Sequence, residues 1–200
     1  MEFKDFKTLR AERAGILTYV KNSNTYSWQE TRKIWVRFSE DGKNNIFSSV
    51  GIGARNAVFY VRRPHKITLL NAIKYRQCHY FITLIEDIDI MYSKVTAAKI
   101  EPVECSYKPV EYEKNEYNRP VKKEGEVISF TACLTEKYTG KEVQPVTAVS
   151  STTYVFVTPK IIELKTGNVI KAKSLTWLIE KCHTLDRYKN EYEAITRSEV

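Results

Sequence analysis

Two stretches of the chain, 97 residues apart, carry nearly the same pattern. Residues 71–89 read NAIKYRQCHYFITLIEDID, and residues 168–186 read NVIKAKSLTWLIEKCHTLD. A repeat of fixed spacing decides the architecture of a chain, so the choice lies between a tandem duplication of one small domain and a coincidence between two ordinary strand pairs. The same residue type recurs at Asn71, Ile73, Lys74, Ile82 and Asp89 and at Asn168, Ile170, Lys171, Ile179 and Asp186.

The repeat favours two domains within the 200 residues, because a domain typically contains about 100–150 residues. We expect a first domain over residues 1–105 and a second, degenerate copy over residues 127–200. Residues 106–126 between them alternate acids with bases and include two prolines. A charged segment that contains prolines is typical of a linker or an extended arm.

Strand-type patterns dominate both halves. In KIWVRF, Ile34, Val36 and Phe38 alternate with polar or outward positions, as in a half-buried strand. The predicted fold class is therefore mainly β, with two small β-barrel or β-sandwich-like domains, a degenerate internal repeat and few helices. The best helical candidate is Glu2–Arg13, with a possible turn at Asn45–Val50.

Turn chemistry adds two finer expectations. KTGN at Lys165–Asn168 predicts a tight hairpin turn between IIEL and VIKA, whereas its counterpart LLNA lacks glycine and predicts a looser turn. A further strand candidate, Gly15–Lys21, precedes the first copy. Its equivalent in the second copy falls in the linker, so we expect the second domain to lack that strand or to build it poorly.

One long loop occupies the same place in each half. Asp41–Asn56 and Thr139–Thr152 both exceed the roughly 12 residues above which loops are usually functional or disordered. They are either binding elements or plain flexible excursions. As candidate assembly residues we take Lys43, Asn44, Ile46, Phe47, Val50, Ile52 and Arg55 in the first loop, and Lys141, Val143, Gln144, Val146 and Val149 in the second.

Residues suited to catalysis or metal binding are sparse. In each of the adjacent pairs Cys78–His79 and Cys182–His183, the two side chains are expected to point to opposite faces of a strand, so they cannot enter one site together. The four cysteines show no C-x-x-C spacing, which argues against a disulfide framework and a zinc site. No phosphate-binding glycine loop or nucleophile motif occurs. We therefore expect no enzyme activity, no cofactor and no metal. Lacking an apolar secretory signal or a long apolar span, the chain is expected to be cytosolic.

The net charge of +8 at pH 7 favours contact with nucleic acid or another polyanion. The charges are spread, however, as on an ordinary solvated surface. The densest local group includes Arg62, Arg63 and Lys66, and we assign these three as a candidate DNA-facing group. Thirteen tyrosines, among them Tyr75 and Tyr107, favour core or interface positions over base stacking.

A wider pattern covers about Gly15–Cys105: SWQETRKIWVRF, a small-residue loop, AVFYVRR, a segment with Ile73, Tyr75, Tyr80 and Ile82, and a last apolar strand. This pattern resembles the head–tail joining proteins of tailed bacteriophages, also called head-completion, adaptor or stopper proteins. The chain departs from them in length, since most relatives have one domain and this chain appends Val127–Thr196.

The resemblance implies a structural virion protein of the phage neck. Its partners would be itself in a ring of roughly twelve copies, a portal or adaptor protein, a tail or tail-terminator protein, and the DNA that passes through the channel without sequence specificity. It would assemble in the host cytoplasm and contact no membrane. The alternatives are a neighbouring neck or tail component, such as a tail terminator, and a basic tandem small-barrel module that binds nucleic acid.

Overall fold

The computed structural model describes residues 5–46, 53–63, 65–114, 116–136 and 154–197. These residues form one short 3-10 helix, Asp5–Thr8, and fourteen strands, so the prediction of a mainly β chain is confirmed. The strands are β1 Ala11–Asn22, β2 Thr25–Ile46, β3 Gly53–Arg62, β4 Asn71–Tyr75, β5 Cys78–Asp87, β6 Tyr92–Ile100, β7 Pro102–Tyr107, β8 Val110–Lys114, β9 Pro120–Glu124, β10 Ile128–Glu136, β11 Tyr154–Pro159, β12 Val169–Ala172, β13 Leu175–Thr184 and β14 Lys189–Arg197.

The chain divides into two compact units with the same strand order. The first unit comprises Met1–Val20 and Trp28–Glu101, and the second comprises Lys21–Ser27 and Pro102–Val200. In the first unit the neighbours run β1-β4-β5-β6-β3-β2, and β2 also pairs with β1, so the cycle of strands closes. In the second unit they run β7-β12-β13-β14-β11-β10, and β10 closes the cycle on β7.

The register of the strands repeats as well. β13 and β14 begin and end 97 residues after β5 and β6. Ala57 pairs with Ala97 between β3 and β6, and Tyr154 pairs with Ala194 between β11 and β14. The β5–β6 ladder shifts register between Ile82 and Leu84, and the β13–β14 ladder shifts between Ile179 and Lys181. A bulge at the same place in both units is a specific feature that favours duplication over coincidence.

The repeated asparagines, Asn71 and Asn168, close equivalent turns in the two units. Asn71 Oδ1 accepts the backbone N–H of Thr68 at 2.9 Å, and Asn168 Oδ1 accepts that of Lys165 at 2.8 Å. The backbone closures are equally short, 3.0 Å from Asn71 N to the Thr68 carbonyl and 2.9 Å from Asn168 N to the Lys165 carbonyl. The expectation of a looser first turn is therefore wrong, because the asparagine and not the glycine closes the turn.

The repeated aspartates, Asp89 and Asp186, accept backbone hydrogen bonds in the turn between the last two strands of each unit. Asp89 Oδ1 accepts the backbone N–H groups of Met91 and Tyr92, each at 2.7 Å. Asp186 Oδ1 accepts those of Tyr188 and Lys189, at 2.6 and 2.8 Å. Most of the repeat noted in the sequence is thus accounted for by two turn caps per unit and by isoleucines in the core.

Each unit has an apolar core of matched composition. Phe59 and Ile73 are fully buried in the first unit, and so are Phe156 and Ile170 in the second. Phe59 meets Tyr80 edge to face at 5.2 Å, and Phe156 meets Trp177 in the same way at 5.5 Å. Such aromatic pairs contribute about 0.5–1.5 kcal/mol beyond their buried area.

Three local expectations are corrected. Glu2–Arg13 is not a helix in its described part, since only Asp5–Thr8 is helical and β1 begins at Ala11. Lys165–Asn168 forms a turn but does not join two strands, because residues 161–164 before it lie outside any strand. The segment 106–126, expected to be a linker, contains the end of β7 and the hairpin of β8 and β9, in which Val110 pairs with Glu124.

The second unit also has the strand that the sequence suggested it would lack. β7 pairs with β12 through Tyr107 and Ile170, just as β1 pairs with β4 through Ile16 and Ile73. The correspondence is hidden because the β8–β9 hairpin lies between β7 and β10 and changes the offset. The boundary between the units accordingly falls at Glu101 and Pro102, before the segment assigned to a linker.

Candidate interaction surfaces

A two-stranded extension leaves the first unit where the first long loop was expected. β3 pairs with β6 only from Arg62 to Asn56, whereas β2 and β3 continue to pair with each other to Ile46 and Gly53. The ladder is irregular between Glu40 and Asn44. We call residues 44–46 and 53–55 the arm. A two-stranded ribbon alone is marginally stable in water, so contact with a partner would stabilise it.

The arm contains some of the predicted assembly residues. Asn44 and Ile46 of β2 and Arg55 of β3 lie in the arm, and Lys43 of β2 lies next to it. Phe47, Val50 and Ile52 of the first loop lie outside the described residues, as do all five candidates of the second loop, Lys141, Val143, Gln144, Val146 and Val149.

The candidate DNA-facing group follows the end of β3. Arg63 Nη2 lies 2.9 Å from Asp87 Oδ2, and its Nη1 donates to the Asp89 carbonyl at 3.2 Å. Its guanidinium therefore fastens β3 to the β5–β6 turn, although an ion pair this exposed contributes at most about 1 kcal/mol. Arg62 and Lys66 are exposed, and the Lys66 carbonyl accepts a hydrogen bond from Arg32. Of these cations, Arg62 and Lys66 are the better probes of DNA contact.

Two of the histidines and one cysteine have surroundings that indicate structural roles. His183 Nε2 lies 3.0 Å from Glu193 Oε1, and burial lowers the pKa of His79, with a smaller effect from Lys74. Burial raises the pKa of the Cys105 thiol to about 12, which keeps it protonated and unreactive at neutral pH. Among the described residues, no group of three or more His, Cys, Asp or Glu side chains is placed to hold a metal ion.

A basic groove in the second unit was not anticipated. It has a volume of about 690 Å³ and lies between β7, the base of the β8–β9 hairpin, the turn at residues 165–168 and the end of β14. Its lining includes one carboxylate, Glu124, which lies 3.5 Å from a lysine of the groove. The cations that line it are Lys108, Lys165, Lys171 and Arg197. We call this the basic groove.

A second groove, of about 430 Å³, adjoins the first and shares Ser106 and Lys171 with it. It carries Tyr26 and Phe130 and one carboxylate, Glu104. Residues 21–27, at the tip of the β1–β2 hairpin, belong to the second unit and build one wall of this groove. There Thr25 and Tyr26 pair in parallel with Ser129 and Phe130 of β10. Phe130 belongs to the core, at 2% exposure. Together the two grooves form a path on one unit that is lined by four cations, two carboxylates and two tyrosines.

Sequence reasoning missed the basic groove because its cations are far apart in the chain. Lys171 reaches Ser106 only through the β7–β12 ladder. The one available signal was a comparison between the copies: Lys165 and Arg197 stand where the first copy has Thr68 and Ile100.

Comparison with protein-family models, with curated proteins and with solved structures yields no match to this chain. In the part of the chain that the structure describes, no helix has the length and apolar character needed to cross a membrane.

Proposed function

We propose that the protein is a structural component of a bacteriophage neck, which forms a ring that joins the portal and capsid to the tail and surrounds the DNA channel. The observation that carries this proposal is the arm. The resemblance of residues 15–105 to head–tail joining proteins implies a long inter-strand segment that projects toward the channel or a neighbouring ring, and β2 and β3 extend together at that place.

A ring subunit requires a rigid scaffold and segments that can pair with its neighbours. Closed cycles of strands leave few open edges and give a rigid scaffold. The arm adds backbone donors and acceptors beyond the β3–β6 ladder, where a strand of a neighbouring subunit can pair. Ordering such a segment on contact costs entropy, which the buried interface of an assembled ring offsets.

The experiment is complementation of a phage that lacks this gene with a variant in which residues 44–55 are replaced by a short turn. We expect a folded protein and no joined particles, because the scaffold remains and the arm is lost. The matched control shortens the β8–β9 turn at residues 116–118, far along the chain from the arm. Infectious particles at the normal yield from the arm variant would overturn the role assigned to the arm.

A second candidate function, a sequence-neutral nucleic-acid-binding module, is supported by the basic groove of the second unit. The two functions differ in what they require of free nucleic acid. A dedicated module would bind it with a submicromolar Kd, whereas a neck component needs only weak contact with the DNA that it surrounds. The affinity of the purified protein for free nucleic acid distinguishes them.

A further inference from the structure

We propose that the basic groove binds the phosphodiester backbone of a nucleic acid. This inference concerns the second unit alone and holds whether or not the protein belongs to a phage neck. It differs from the sequence-based assignment, which placed DNA contact at Arg62, Arg63 and Lys66 of the first unit.

The charge of the groove is the first support. Lys165, Lys171 and Arg197 are exposed, and Lys108 has its ammonium 3.5 Å from Glu124. Four cations and one carboxylate line the cavity, which leaves an excess of three positive charges facing one space. Lysine and arginine are the residues that neutralise phosphates along a nucleic-acid backbone.

The shape and the aromatic content are the second support. The groove continues past Lys171 into the adjoining groove, so an extended chain has room for more than one phosphate. Tyr107 lines the first groove, with its ring edge to face on Phe130 at 5.8 Å, and Tyr26 lines the second. A basic path with aromatic rings along it is typical of sequence-neutral binding to a nucleic-acid strand.

The first unit provides an internal contrast. Two of the cations, Lys165 and Arg197, replace the uncharged Thr68 and Ile100, and only Lys171 has a basic counterpart, Lys74. The β8–β9 hairpin, which forms part of the wall, lies between β7 and β10 and has no counterpart in the short β1–β2 turn. The cations and the wall therefore occur together in one unit, as expected of a site and not of a general basic surface.

The test is fluorescence anisotropy of the full chain with an oligothymidylate of about 20 nucleotides and with a duplex of about 20 base pairs. At about 50 mM salt we expect a Kd of about 1–100 μM, and a steep loss of affinity as salt rises. Tighter binding of the oligothymidylate assigns a single strand to the groove, and tighter binding of the duplex assigns double-stranded DNA; both results support the phosphodiester assignment.

Two variants with the same loss of charge locate the site. The groove variant carries Lys165→Gln, Lys171→Gln and Arg197→Gln, and the control carries Lys33→Gln, Lys74→Gln and Lys99→Gln on exposed positions of the first unit, outside the candidate DNA-facing group. We expect the groove variant to weaken binding at least about tenfold and to reduce the slope of log K against log salt by about 2. The control should change the Kd less than about threefold, with an unchanged far-UV spectrum in both proteins.

A third variant, Glu124→Gln, removes the carboxylate of the groove and should tighten binding, so the proposal stays open to test even if the triple variant unfolds. Three results would overturn it: equal weakening in the groove variant and the control, weaker or unchanged binding in Glu124→Gln, or displacement of the oligonucleotide by tripolyphosphate at an equal phosphate concentration. The last result would identify a small phosphate ligand instead of a nucleic acid.

Discussion

The two units share strand order, register, a bulge and two turn caps, yet differ at their insertions. The first unit has the arm, which prolongs β2 and β3. The second has the β8–β9 hairpin beside the basic groove. What is common to the units is what the fold requires, namely caps and core. What differs lies in the arm and in the hairpin with its groove, which is where we place the separate tasks of protein contact and nucleic-acid contact.

A second difference between the units lies in the polar side chains of their strands. In the first unit, Glu12 of β1 accepts a hydrogen bond from the Tyr75 hydroxyl at 2.8 Å and one from Arg76 Nη2 at 2.6 Å. In the second unit, Lys189, Glu191 and Glu193 of β14 are buried, where the matching positions of β6 are Tyr92, Lys94 and Thr96. The common topology therefore tolerates different arrangements of polar side chains, including buried ones in the second unit.

The largest effect should come from the matched core phenylalanines. Phe59→Ala and Phe156→Ala each remove a fully buried ring, and each should lower the free energy of unfolding of its own unit by about 3–5 kcal/mol. Hydrogen exchange measured by mass spectrometry reports each unit separately. Leu84→Ala, at a position 48% exposed, is the control. Equal loss of protection in both units from either substitution would contradict two separate cores.

The turn caps should give a smaller and unequal effect. Asp89→Ala and Asp186→Ala each remove an acceptor of two backbone N–H groups, which should lower the free energy of unfolding by about 1–2 kcal/mol. Asp186→Ala should be the more harmful, because Asp186 Oδ2 also lies 2.9 Å from the buried ammonium of Lys189.

Denaturant titration of the two variants measures this difference. Asp89→Asn and Asp186→Asn keep the oxygen acceptor and should recover most of the loss at residue 89 and less of it at residue 186, where the charge matters. A larger effect at residue 89 would contradict the proposed contribution of Lys189.

These cases show what the sequence was able to predict. The core face of β2 followed from the alternation of Ile34 and Val36, both 1% exposed, because burial on one face of a strand has a period of two. The repeat was visible because β5 and β13 keep one offset. The turns at Arg76–Gln77 and Lys173–Ser174 were not visible, since they reach positive φ without the glycine or asparagine that normally marks such turns.

Other features were hidden for reasons of geometry. The β8–β9 hairpin was taken for part of a linker because residues 106–126 mix acids with bases, include two prolines and have few large aliphatic side chains. The basic groove was missed because two ladders, β12–β13 and β13–β14, bring Lys171 and Arg197 together across the sheet of the second unit. Long-range pairing, and not local composition, creates that site.

The stability of the first unit should depend on pH through the carboxyl group of Glu12. The hydrogen bonds from Arg76 and Tyr75 hold the pKa of Glu12 below its usual value of 4.5. A carboxyl with a lower pKa in the folded state stabilises the fold above its unfolded pKa, and this contribution is lost as the pH falls through the folded pKa. Thermal unfolding from pH 7 to pH 2 should show a stability advantage of the wild type over Glu12→Gln that shrinks below about pH 4.5. A constant difference across that range would contradict this role.

The smallest effect on stability should come from the arm. Replacement of residues 44–55 by a short turn should change the free energy of unfolding by less than about 0.5 kcal/mol, because segments outside a core contribute little. Differential scanning calorimetry of the variant measures it. A loss of several kcal/mol would mean that the arm is part of the scaffold of the first unit and not a projection from it.

The most direct test of the neck assignment is quantitative mass spectrometry of density-purified virions beside tail-less heads from the same source. The account predicts the protein at a low, ring-like copy number, roughly that of the portal subunit. Absence of the protein from purified particles would contradict the connector role and leave nucleic-acid binding as the function to pursue.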